Sequence, residues 1–233
     1  PLARDWSGIG ITNGGTAVID HAVVKYGGAS DYLVRVDTGG QLQLTNSTLQ
    51  YGDRYGVQGL NDAILEIRDN VIENNGSYGI YYTDVEDVII TGNTIQDNSS
   101  FGIMITDLDD DKPVNPVIQN NLIQNNGNNP IYISTDGDGL VGLSSIINNQ
   151  GSGNGDDKIY LSLLQLMNDE TFNLTNGFDF HLARTYLLEG SSLLIPSGMT
   201  VTSDDVYVRS GAYWVLEPGV TWMMETTDHI TIS

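Results

Sequence analysis

Cysteine is absent, which excludes a disulfide scaffold, a thiolate zinc site and a cysteine nucleophile. Histidine is nearly absent too: His21, His181 and His229 are too few for a His-rich metal centre. Positive charge is scarce, with 9 Lys and Arg against 30 Asp and Glu and a net charge of −21. Such a chain repels nucleic acid and anionic lipid, so no nucleic-acid partner is expected. No apolar run reaches the length of a membrane span, so no membrane insertion is expected. The chain opens at Pro1 without Met or a signal peptide, and is read as an internal or processed piece. What the sequence does have is 39% apolar residues and only 17% charged ones, which excludes an extended, highly charged disordered chain.

It also has a repeat. "LEIRDNVIENNGSYGIYYTD" (Leu65–Asp84) and "DVIITGNTIQDNSSFGIMITD" (Asp87–Asp107) say the same thing 23 residues apart. One apolar column runs Ile19, Leu44, Ile67, Ile90, Ile118, Leu143, with spacings of 25, 23, 23, 28 and 25. A second runs Val24, Leu49, Ile72, Ile95, Ile123 and, one residue short, Ile147; a third runs Ile9, Val34, Val57, Ile80, Ile103, Ile131. Three columns sharing one period mark a solenoid. The apolar stretches are short and alternate with period two, as in Ile80-Tyr81-Tyr82 and Ile131-Tyr132-Ile133, so the repeats are strands and not helices. Gly and Asn are frequent between the strands, and both tolerate the left-handed backbone of sharp turns.

Three short strands per coil describe a parallel β-helix, in which no coil buries its apolar face alone and stacking closes the core. Asn70, Asn93 and Asn121 recur at the coil period, either as a stacked amide ladder or as turn residues alone. Gly59 and Tyr82 share an inward column as a small–large complement.

The Asn-x-Ile-x-x-Asn…Gly-Ile run resembles the right-handed parallel β-helix repeat of the pectin-lyase-like superfamily. "RDWSGIGITNGGTAVIDHAVVKYGG" (Arg4–Gly28) resembles the Trp-x-Gly-Ile coil of large secreted bacterial β-helix surface proteins. "LLIPSGMTVT" (Leu193–Thr202) and "LEPGVTWMM" (Leu216–Met224) are similar to the entry segments of such modules, though here they follow that coil rather than precede it. The resemblance implies a fold first: an all-β, right-handed parallel β-helix solenoid of about six coils over 1–150, followed by a second β-rich segment. Within the remainder, "GSGNGDD" opens a linker and end-cap over 151–184, and 185–233 is β-rich, the start of another β-helix module.

Three surface features carry candidate chemistry. Turns after the Gly-Ile strand hold Asp37, Asn61, Asp62, Asp84, Asp107 and Asp136, joined by Glu86, Asp87, Asp109, Asp110, Asp111 and Asp138. Stacked about 4.8 Å apart, these carboxylates repel unless a cation intervenes, and oxygen-rich loops suit Ca²⁺. The metal candidates are Asp84, Asp107, Asp109, Asp110, Asp111 and Asp136, with calcium as the expected cofactor; the alternative is plain turn chemistry. Tyr81, Met104 and Tyr132 point outward on adjacent coils, as a glycan-binding stripe or as ordinary cross-strand packing. Lys25, Arg68, Asp20 and Glu73 put opposite charges on outward positions and are the catalytic candidates, the alternative being solvated surface charge.

Lyases of the superfamily use a basic proton abstractor with calcium or arginine to neutralise a uronate. Its hydrolases use an Asp cluster with Gly-His-Gly and Arg-x-Lys motifs. Neither His-containing motif is present: His21 sits in "IDHAV" without glycines. The expectation is therefore a non-catalytic extracellular or cell-surface module, a rigid spacer or adhesion scaffold whose partner is a polysaccharide or cell-surface glycan. Its uncovered ends would allow head-to-tail self-association. The enzymatic alternative is a polysaccharide lyase or glycoside hydrolase working in a solenoid groove.

Overall fold

The computed structural model describes residues 2–84, 88–106, 116–135, 140–162, 165–166, 169–172, 175–224 and 227–232. The chain winds as a right-handed parallel β-solenoid of about nine turns, so the expected class holds while the coil count rises from six. One sheet runs the whole length. Its ten strands are Ile9–Ile11, Tyr32–Val36, Tyr55–Leu60, Ile80–Thr83, Ile103–Thr106, Ile131–Ser134, Lys158–Ser162, Asp179–Ala183, Thr200–Ser203 and Thr221–Met224. A second sheet stacks Thr16–Asp20, Gln41–Thr45, Ile64–Arg68, Val88–Thr91, Val117–Gln119 and Ile146–Ile147. A third stacks Val23–Lys25, Thr48–Gln50, Val71–Glu73, Thr94–Gln96 and Leu122–Gln124.

The inward column of the first sheet is the one expected, Ile9 through Ile131 in register, and it continues through Ile159, Phe180, Val201 and Trp222. The other two columns hold up to Ile118 and Ile123 and then depart. Ile146, not Leu143, pairs with Ile118, and Ile147 pairs with Gln119 in the second sheet and so is no member of the third. The reason is a handover within one coil. Leu140–Val141 opens a fourth sheet with Gln165–Leu166, Thr185–Leu187, Val206–Val208 and Ile230–Ile232, and Asp169–Thr171, Ser192–Ile195 and Tyr213–Leu216 form a fifth. The stretch 151–184, expected as linker and end-cap, thus contributes Lys158–Ser162 and Asp179–Ala183 to the first sheet.

From the coil of Tyr55–Leu60 onward, two corners of each early coil use one device, a left-handed residue followed by an inward Asn; the two coils before it have Ala22 and Ser47 at one of these positions and Gly27 and Gly52 at the other. Asn70, Asn93, Asn121 and Asn149 are buried, and each donates from Nδ2 to the next Asn Oδ1 at 2.9–3.1 Å, ending on Asn176. A second ladder five residues on, Asn75, Asn98, Asn126 and Asn154, does the same and ends on the Asp157 carboxylate. The later coils dispense with Asn. Their turns hinge on Gly190 and Gly211, and on Gly198 and Gly219, all at positive φ, and their period drops to the 21 residues separating Phe180, Val201 and Trp222. The Gly59–Tyr82 complement is real: a Cβ on Gly59 would lie 2.2 Å from the buried Tyr82 ring, whose hydroxyl donates to the Ala63 carbonyl.

Candidate functional site

The outward row of the first sheet aligns Arg35, Gln58, Tyr81, Met104, Tyr132, Tyr160, His181, Thr202 and Met223 in register. Tyr81, Met104 and Tyr132 therefore stand on adjacent strands. Met104 interrupts the rings, and Phe101 bridges the gap between Tyr78 and Tyr132 at 5.5 and 5.0 Å. The run continues from Tyr132 to Tyr160 at 5.1 Å and from Tyr160 to His181 at 4.4 Å. At its other end Tyr55 sits 5.3 Å from Tyr78 and 5.1 Å from Tyr81, with the Arg54 guanidinium 4.9 Å over its ring.

How these rings pack decides what they can offer. The Tyr132–Tyr160 and Tyr160–His181 planes lie within 10° and 14° of parallel. Coplanar neighbours so close would collide, so the rings are stacked face over face along the solenoid axis. Their faces therefore partly cover each other. The tilted rings Tyr78, Tyr81 and Phe101 leave more face open. Burial raises the Tyr160 phenol above its ordinary pKa, as do the nearby Asp204, Tyr132 and Asp156, so its hydroxyl keeps its proton and can donate.

The row ends at two adjoining clefts that share Tyr160 and Asp204. One, of about 390 Å³, is lined by Asp156, Lys158, Tyr160, His181, Thr202 and Asp204 among others; the second, of about 400 Å³, adds Ser162, Arg184, Asp205 and Asp228. His181 Nδ1 lies 2.9 Å from Thr202 Oγ1. Its Nε2 is buried and approaches Asp204 Oδ1 at 3.4 Å, within ion-pair range but outside hydrogen-bond geometry. The clefts thus place donors and acceptors of both signs beside the last stacked ring, an arrangement suited to hydroxyl-rich ligands. Sequence reasoning missed Tyr160, His181, Arg184 and Asp204 because they fell in or beyond the supposed linker. The signal was there: Tyr132, Tyr160 and His181 continue the outward row.

The four catalytic candidates do not converge. Asp20 and Arg68 share one outward column of the second sheet and Lys25 and Glu73 one of the third, each pair two strands apart, roughly 10 Å. Each is locally engaged. Hydrogen bonds from Asn46, Thr45 and His21 hold the Asp20 carboxyl well below the usual range. Arg68 bonds Glu66 and Thr91, Glu73 accepts from Gln96, and Lys25 lies 5.4 Å over the Tyr26 ring. The candidates are split between two sheets because a two-residue corner, His21-Ala22 in one coil and Asp69-Asn70 in another, turns the chain from the second sheet into the third.

Of the calcium candidates, Asp84 is described and Asp107, Asp109, Asp110, Asp111 and Asp136 lie outside the described residues. Asp84 holds a left-handed turn, and its carbonyl accepts from the Asp62 amide. Farther along the same edge, burial would raise the Asp37 carboxyl, but bonds from Arg35, Asn61 and Thr38, with the charge of Arg35, keep it below the ordinary value. No three carboxylates or imidazoles converge as metal ligands among the described residues.

A family profile described as "Right handed beta helix region" matches residues 7–162, two thirds of the chain. The chain belongs to that family. The β-helix match closes within the strand Lys158–Ser162, just past the handover coil, so the later, Gly-turned coils extend the family repeat with a different corner chemistry. Neither the curated proteins nor the solved structures contain a match to this β-helix.

Proposed function

We propose that this β-helix is a non-catalytic, rigid extracellular or cell-surface module that binds a polysaccharide along the outer face of its first sheet. One observation carries the reading: the ring row from Tyr78 through Phe101 to His181 leads into clefts that hold Lys158, Arg184, Asp156 and Asp204. Tilted rings offer apolar face to sugar C–H groups, and ring hydroxyls and cleft side chains offer hydrogen bonds. The net charge of −21 favours a neutral glycan over a polyuronate. Calcium at the acidic turns and end-to-end stacking of solenoids belong to the same proposal. The terminal coils expose Val18, Val23, Tyr213 and Ile232, apolar side chains that a second copy could cover.

Electrophoresis through gels containing galactomannan, xyloglucan, xylan or polygalacturonate tests the platform. Retardation in a neutral polymer, relieved by Tyr160→Ala and Tyr132→Ala, is the expected result. Free migration in every neutral gel, or retardation indifferent to both substitutions, overturns it. The second reading, cleavage of the bound polymer, draws on the His181–Asp204 approach beside Tyr160. Ultraviolet absorbance from unsaturated sugars, or new reducing ends, would establish it in place of the first.

A further inference from the structure

At the corner leaving the third sheet, successive coils place Tyr26, Tyr51, Asn74, Asp97 and Asn125 at one position, each with φ between 54° and 61°. Asn and Asp accept this left-handed conformation readily; a bulky tyrosine does not. Two consecutive coils nevertheless hold tyrosine there. The rings stack at 5.3 Å and 8°, with Lys25 Nζ over Tyr26 on the outer side.

The column then changes to Asn74, which is too short to cover the next ring face. Tyr51 is 41% exposed, and Tyr26 is its only ring neighbour among the described residues. Beside it opens a cleft of about 480 Å³, lined by Tyr51, Asp53, Asn74, Gly76, Asp97 and Ser99 among others. Asp53 is engaged by Arg4 at 2.7 Å. The side chains of Asn74, Asp97 and Ser99 make no hydrogen bond to any described residue. An open aromatic face thus stands above an uncommitted amide, carboxylate and hydroxyl, held by strained backbone that the fold itself does not require. Strain retained where Asn would serve points to use of the ring.

We infer that the Tyr51 cleft is a separate saccharide site, taking one or two pyranose units of a neutral glycan with a sugar C–H face on the ring. Asn74, Asp97 and Ser99 read the hydroxyls of the same unit. The free Asp97 carboxylate disfavours uronates. The cleft shares its ligand class with the first-sheet platform but none of its residues, so it is tested with short oligosaccharides and its own variants.

Titration calorimetry and saturation-transfer NMR with cellohexaose, mannohexaose and xylohexaose, and trigalacturonate as control, provide the test. Tyr51→Asn restores the residue type that the column uses elsewhere, so it melts within about 3 °C of wild type. It nevertheless binds the preferred neutral hexaose at least about tenfold more weakly, while the conservative Tyr51→Phe, which keeps the ring, binds it like wild type. No binding of any neutral hexaose by wild type, or equal binding by Tyr51→Asn, overturns the site. Loss in Tyr160→Ala with retention in Tyr51→Asn overturns it while leaving the first-sheet platform standing.

Discussion

Replacing Asn121 by Ala tests the corner chemistry at its centre. Asn121 is 1% exposed. Its Nδ2 donates to the Ile90 carbonyl at 2.9 Å and to Asn149 Oδ1 at 2.9 Å, and its Oδ1 accepts from the Asn93 amide and Asn93 Nδ2, both at 3.0 Å. Alanine removes all four bonds. Asn93 Nδ2 keeps acceptors in the Ile67 and Thr91 carbonyls, and Asn149 Oδ1 keeps the Asn121 amide, so those groups lose little. The Asn93 amide is left buried without its acceptor. One orphaned donor at about 1–3 kcal/mol, plus two or three lost bonds at about 1 kcal/mol each, gives a loss of about 4 kcal/mol. Exposed Asn120 is the control. It supplies only the left-handed turn at φ 56°, so Asn120→Ala loses about 1 kcal/mol. Urea unfolding followed by far-ultraviolet circular dichroism measures both. Equal losses for the two variants, or less than about 1.5 kcal/mol for Asn121→Ala, would refute the ladder as a source of stability.

Gly59→Ala drives a Cβ into the Tyr82 ring at 2.2 Å and Leu65 Cδ1 at 2.5 Å and destabilises by about 3 kcal/mol or more, and adding Tyr82→Ile, the residue the same column uses at Ile105, recovers only the part owed to the ring in thermal melts. The Asp20 carboxyl is depressed by Asn46, Thr45 and His21, so its contribution is present above the unfolded carboxylate pKa of about 3.9 and is lost as pH falls below it; Asp20→Asn should flatten the fall of melting temperature between about pH 4 and 2. Removing calcium with a chelator should lower the melting temperature by several degrees, and superimposable melts would assign the acidic turns to chain reversal alone. Phe101→Ala opens a gap between Tyr78 and Tyr132 and should weaken polymer retardation without changing the fold read by circular dichroism.

The apolar columns were legible because parallel stacking forces one inward aliphatic residue per strand per coil, so the column of Leu44, Ile67 and Ile90 and that of Leu49, Ile72 and Ile95 both recur every 23 residues. The ladder of Asn70, Asn93 and Asn121 was legible for the same reason. Its twin at Asn75, Asn98 and Asn126 hid behind the frequency of Asn in turns, although the constant five-residue offset distinguishes it. At Leu143 the reading failed because the chain is handed over to new sheets within that coil, and after Ile159 the period shortens from 28 to 21 residues, so a fixed repeat slides out of register. Tyr160 and His181 were lost with it. Tyr26 and Tyr51 were overlooked because tyrosine is not a turn residue, although they follow Val24 and Leu49 by two positions just as Asn74 and Asp97 follow Ile72 and Ile95.

Hydrogen exchange of the full chain, with and without galactomannan or xyloglucan, tests the glycan-binding face most directly. Slowed exchange with one of these polymers in Lys158–Ser162 and Asp179–Ala183, with the strands of the second sheet unchanged, is the predicted pattern. Unaltered exchange in those strands with both polymers, or protection centred on the second sheet, would contradict the account.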